Sequence, residues 1–208
     1  TQIINHGYLA VDFFFMLSGF VIGYAYDDRW NRMSTGTFFK RRLIRLQPMV
    51  VMGSIVGAAL FWFQDAPCYP AMEGVSAGAV LLVMLLGCTL LPLPLKWDVR
   101  GWMEMHPLNG PAWSLYYEYI GNILYALFIR KFSKTALTVL VAIAACFTVH
   151  RCLTAPAGDI VGGWALNWEQ QYVGLVRLMY PFFGGLLLSR LGWLIRTRKN
   201  AFGWCSLM

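Results

Sequence analysis

The eighteen-residue run Leu9–Tyr26, LAVDFFFMLSGFVIGYAY, constrains this chain more than any other stretch. At about 1.5 Å per residue it is long enough to cross a bilayer as a helix, yet it carries an acid, Asp12, near its start. A carboxylate held at mid-bilayer costs about 2.5–3.5 kcal/mol, so Asp12 demands either the interface or a partner within the protein. The run therefore predicts a helix beside a polar chamber that later residues complete.

Composition points the same way. Hydrophobic residues make up 58% of the 208 and charged ones 13%, too few charges to cover a soluble domain. The net charge of +7 is gathered in clusters between apolar runs, where it reports orientation in a membrane and argues against nucleic acid as a partner. The expected fold is all-α, a polytopic transmembrane helix bundle of five to six segments, with the lipid bilayer as its partner. Because the chain opens at Thr1 without Met and closes as the apolar AFGWCSLM begins, it is expected to be a piece, residues 1–208, of a longer membrane domain.

The segments follow from alternating apolar and basic stretches. After the first span, six cations at Arg29, Arg32, Lys40, Arg41, Arg42 and Arg45 mark a cytoplasmic loop. Within it Ser34 or Thr35 caps a short helix that Pro48 ends or separates from the next. Further spans are expected at Met49–Phe63, Ala112–Ile129, Thr135–Val149 and Gln171–Leu188, with basic clusters at RKFSK and at Arg190, Arg196, Arg198 and Lys199. Positive-inside orientation needs an even number of crossings between clusters. Ser76–Leu93, with Gly78, Gly87 and a proline-rich end, breaks that parity if it crosses, and is expected to be re-entrant, the alternative being a full span that puts RKFSK on the outer side. The starts of Leu9–Tyr26, Ala112–Ile129 and Gln171–Leu188 would then share the outer side.

Several polar residues fall within these spans. Ser114 and Glu118, four apart, share one helical face with Gly121, Asn122 and Tyr125 close by. A glutamate there suits acid–base work, and beside a fixed cation such as Arg177 it would stay ionised. Arg177 reaches either such a partner or, by snorkelling, the outer surface. Pro181 with Gly184 and Gly185 implies a kink and close helix approach. Arg41 and Arg45 share a face and would clamp a phosphate or contact anionic lipid. His6, His106 and His150 lack metal-ligand spacing and read as interfacial histidines, so no metal site is expected. Of Cys68, Cys88, Cys146, Cys152 and Cys205, all small buried side chains on this reading, Cys68 and Cys152 would pair if both lie on an oxidising side. Ser18 and Ser114 lack a nucleophile-elbow pattern, which leaves a hydrolase triad unsupported.

Taken together, GYLAVDFFFMLSGFVIGYAY, FFKRRLIRLQP, PLNGPAWSLYYEYIGNILYAL and VRLMYPFFGGLLLSR resemble, in order, motifs of the membrane-bound acyltransferase 3 family. That resemblance implies an integral protein of a bacterial inner membrane, a ten-helix bundle moving acetyl or similar groups from acyl-coenzyme A to a hydroxyl of a glycan or other envelope component. Acyl-CoA would be the donor substrate, with no resident cofactor. The resemblance implies catalytic roles for Asp12, Trp113, Ser114 and Glu118, donor binding by Arg41, Arg42 and Arg45, and substrate contacts from Arg177 and Tyr117. The family's arginine and histidine on a helix before the VDFFF motif have no counterpart here, since His6 sits too close to Val11. The base that deprotonates the acceptor would lie on that helix, and residues 1–208 alone are expected to be inactive. Two other classes compete: a transporter or flippase using Asp12, Glu118 and Arg177 as its path, against which no internal repeat is found, and a non-catalytic scaffold.

Overall fold

The computed structural model describes residues 7–64, 74–156 and 158–192. Six α-helices appear among them: α1 Leu9–Tyr26, α2 Thr35–Phe63, α3 Ala77–Gly87, α4 Ala112–Leu127, α5 Lys134–Thr154 and α6 Trp168–Leu191, with no strand among the described residues. The all-α expectation holds. Four helices start where a polar side chain accepts a hydrogen bond from the amide three residues on: Ser34, Ser76, Ser133 and Asn167. Each such cap contributes about 1 kcal/mol. Stretches containing α1, α2, α5 and α6 are long and apolar enough to cross a membrane.

Pro48 does not divide α2, contrary to the sequence expectation of two elements; the helix runs 29 residues straight through it. Proline removes one amide, which leaves the Ile44 carbonyl without its helical donor. A full break within a bilayer would strand several more backbone groups, so the unbroken helix is the lower-energy choice. Arg41, Arg42 and Arg45 consequently lie on a membrane helix and not in a loop.

Helix directions settle the crossing parity. Along α1, successive contacts with α6 pair Asp12 with Arg177, Gly19 with Phe182 and Asp27 with Arg190, so the two run parallel. Contacts of α1 with α4 rise together as well: Phe15 with Trp113, Ser18 with Glu118, Asp27 with Tyr125. The starts of α1, α4 and α6 thus share one side, and Arg29, Arg32, Arg130, Lys131 and Arg190 gather at the other, which the positive-inside rule makes cytoplasmic. The far basic residues Arg196, Arg198 and Lys199 lie outside the described residues. The end of α2 and the start of α4 therefore lie on the same, outer side. With eleven residues, about 16 Å of rise, α3 reaches only halfway through the hydrocarbon. The chain then turns back along α2: the Leu108 carbonyl lies against Gly57, Asn109 against Gly53, and Gln47 donates from α2 to the Cys88 carbonyl.

His106 sits inside this returning segment. It is 2% exposed with neither ring nitrogen hydrogen-bonded, so the interfacial assignment is corrected: the return stroke against α2 carries it inward. Cys152 carries a free thiol and Cys68 lies outside the described residues, as does His6.

The main core joins α1, α4 and α6 through Phe15, Ile22, Tyr117, Leu178 and Phe182. Its closest approaches are at glycine. A Cβ on Gly19 would strike the Phe182 carbonyl and one on Gly185 the Met16 carbonyl, so each helix presses its backbone onto the other. The expected close approach at Gly184–Gly185 is thus made by Gly185, while Gly184 faces open space. Small residues at such crossings permit tight van der Waals contact where lipid offers no hydrophobic gain. Gly185→Val should cost on the order of 2–3 kcal/mol and Gly184→Ala less than about 0.5, measured as thermal unfolding in detergent. Equal losses from the two would contradict this packing.

Candidate active site

Three polar levels are strung along α1. At its outer end Arg177, 2% exposed, donates from Nε and Nη2 to the two Asp12 oxygens at 3.1 and 2.9 Å. It also donates to the Gly162 and Tyr8 carbonyls at 3.1 and 2.8 Å, and lies 5.0 Å from the centre of the Trp113 ring. Arg177 does not snorkel, because the bundle itself supplies a carboxylate and two carbonyls for its guanidinium. At the cytoplasmic end Arg190 grips Asp27 at 2.7 and 3.2 Å, and the Tyr125 hydroxyl donates to the same carboxylate at 2.7 Å.

The middle level differs. Ser18 of α1 donates to Glu118 Oε1 at 2.6 Å, and Arg42 of α2 ion-pairs with that oxygen while donating to the Ser18 hydroxyl at 3.2 Å. Both interactions use Oε1 and leave Oε2 for a further partner. Arg42 is 1% exposed, and its Nε and Nη1 have no partner. A cavity of about 440 Å³ opens here between α1, α2 and α4. Ser18, Arg45, Ser114 and Glu118 supply its polar wall, and Phe14, Phe15, Leu46 and Met49 are among its apolar residues. The cleft is mostly apolar, with Arg45 and Glu118 as its charged residues.

The residues singled out from sequence divide accordingly. Ser114 and Glu118 meet at the cavity as their four-residue spacing requires, and Arg45 joins them from α2. Glu118 does have a cation, but it is Arg42 and not Arg177. Arg42, which the resemblance assigns with Arg41 and Arg45 to donor binding, is ion-paired with a carboxylate inside the bundle. Arg41 is exposed and does not line the cavity. Tyr117 is 0% exposed and packs against Gly174, so it is a core side chain away from the cavity wall. Trp113 stacks edge-on with Phe15 and carries the Arg177 guanidinium. Asp12 has both oxygens occupied. Sequence reasoning passed over Ser18 as a partner for Glu118, and also the Gly19-x-x-x-Gly23 pair, a visible small-residue signal for where α1 would dock. No group of three or more potential metal ligands occurs among the described residues.

The acyltransferase 3 model, described as an acyltransferase domain, matches residues 1–208. The chain belongs to this family. Among curated relatives, protein 2 in the picA locus of Rhizobium radiobacter is 33% identical over 57% of this chain and 64% of its own length. Acyltransferase MdmB of Streptomyces mycarofaciens is 27% identical over 62% of this chain and 30% of its own. The chain thus spans less than two thirds of either relative. No solved structure matches it. Family membership and the apolar helices together make this an integral membrane protein.

A buried ion pair broken on one side leaves an uncompensated charge. Arg42→Gln or Glu118→Gln alone should destabilise the fold by about 3–5 kcal/mol, whereas the double variant should lose much less than their sum. Thermal unfolding of all four proteins measures the coupling, and strictly additive losses would show that the two side chains do not meet.

Proposed function

We propose that this chain is part of a membrane acyltransferase that moves an acetyl or similar acyl group from acyl-coenzyme A to a hydroxyl of a glycan or other component of a bacterial envelope, working in the inner membrane. The observation that carries the reading is the middle level of α1: a glutamate fixed through one oxygen, facing a cavity of about 440 Å³ with an apolar wall and an arginine beside it. Family membership and the name of the Streptomyces relative support acyl transfer as the reaction class.

In such a transfer the acceptor oxygen attacks the thioester carbonyl, a carbon–oxygen bond forms, the carbon–sulfur bond breaks, and the hydroxyl proton passes to a base while the thiolate departs. The family resemblance supplies a histidine base that this chain does not hold. Of the two intramembrane acids weighed for orienting it, Asp12 has both oxygens committed to Arg177, while Glu118 keeps Oε2 free. Glu118 is therefore the acid that orients the base and stabilises its imidazolium form. Ser18 and Arg42 hold that carboxylate in place and aimed. Arg45 at the cavity wall, with Arg41 on the same helix, provides charge for the phosphates of the donor.

Membranes carrying the intact protein, incubated with labelled acetyl-coenzyme A, should transfer label to acceptor, and Glu118→Ala should reduce the rate about 10²–10⁴-fold per folded molecule. Asp12→Asn should reduce the amount of folded protein more than its specific rate. Absence of transfer by the unaltered protein would favour the transporter or scaffold reading instead.

A further inference from the structure

A second cavity, of about 600 Å³, lies at the cytoplasmic end of α1 and is lined by Asp27, Asp28, Arg130, Ser133, Lys134 and Arg190, among others. Its charges are not equally available. Asp27 and Arg190 neutralise each other through two hydrogen bonds, and Arg190 is further tied to the Phe132 carbonyl at 2.8 Å. Arg130 and Lys134 remain, and neither has an acidic partner among the described residues. Asp28, exposed, is the one acid set against them.

Arg130 is also held in place. Its guanidinium lies 4.1 Å from the centre of the Trp30 ring, whose Nε1 donates to Tyr125, so the stack is anchored to the Asp27 network. The Arg130 Nε is buried without a partner. A fixed, incompletely satisfied guanidinium loses little entropy when it takes an anion. The start of α5 adds to the same field: Ser133 caps the amide of Ala136, while the first amides, those of Lys134 and Thr135, bring the positive end of the helix dipole to the cavity's edge.

We propose that this cavity is a binding site for a phosphate group, with Arg130 and Lys134 as its cationic contacts and Ser133 at its rim. Such a group arrives either on an anionic lipid of the inner leaflet or on a nucleotide from the cytoplasm. The site is separate from Glu118, since Ser18 and Asp27 are nine residues apart on α1, about 13 Å along the axis. It does not rest on the acyl-transfer reading, and its test does not use that reaction.

The protein in nanodiscs of phosphatidylcholine is titrated, by calorimetry, with short-chain phosphatidylglycerol in one arm and adenosine 3′,5′-bisphosphate in the other. At least one probe should bind, and the arm that does identifies the source. For that probe Arg130→Gln and Lys134→Gln should each weaken binding about tenfold, and Asp28→Asn should tighten it. Tightening by Asp28→Asn is a sign that misfolding does not imitate. Arg32→Gln, which alters an exposed cation at the same end that does not line the cavity, should leave the constant unchanged. Binding of neither probe by the unaltered protein, unweakened binding by the Arg130 and Lys134 variants, or an equal loss from Arg32→Gln would overturn the assignment.

Discussion

The contact between α1 and α6, made where Gly19 meets the Phe182 backbone and Gly185 meets the Met16 backbone, fixes the rest of the bundle. In lipid two apolar helices gain nothing by hiding from water, so proximity has to come from shape and polar bonds. Glycine supplies the shape. The two ion pairs Asp12–Arg177 and Asp27–Arg190, one at each end of α1, supply the bonds and lock the register. A slip of one helix past the other would strand four charges in low dielectric, which is costly enough to make the arrangement unique.

That rigid pair explains why the third acid is the chemically interesting one. Asp12 and Asp27 are satisfied through both oxygens and work as structural ties. Glu118 is satisfied through one, by partners from two other helices, and it faces a cavity. A groove along Leu43, Pro48 and Met52 of α2 is apolar and wide open, with nothing in it to move a proton. The contrast between fully and partly satisfied acids, more than burial alone, separates scaffold from site.

Much of this was legible in the sequence, and for physical reasons. Long apolar runs with clustered cations give helices and sides, and the short helix Ala77–Gly87 fits the re-entrant reading drawn from the parity of those clusters. The i, i+4 rule placed Ser114 beside Glu118. What remained hidden depends on contacts between distant residues. Nothing in FFKRRLIRLQP distinguishes Arg42, which turns inward to Glu118, from Arg41, which stays exposed; a shift of one residue is 100° around a helix. Pro48 looked like a terminus because that is its effect in water, where a broken helix finds other hydrogen bonds. Tyr117, a substrate contact on the family resemblance, lies next to Glu118 in the chain, yet adjacent helical residues face different ways, and it fills the space Gly174 leaves open.

The shared side of α1, α4 and α6 is the claim on which the depth of Glu118 depends. Single cysteines at Ala77 and Lys96, in a background without native cysteines, test it most directly in sealed right-side-out vesicles with a membrane-impermeant maleimide. Both should label without opening the vesicles, while a cysteine at Lys131 should label only after they are opened. Labelling of Ala77→Cys and Lys96→Cys from opposite sides would mean that residues 76–93 cross the membrane, and would contradict this arrangement of the helices.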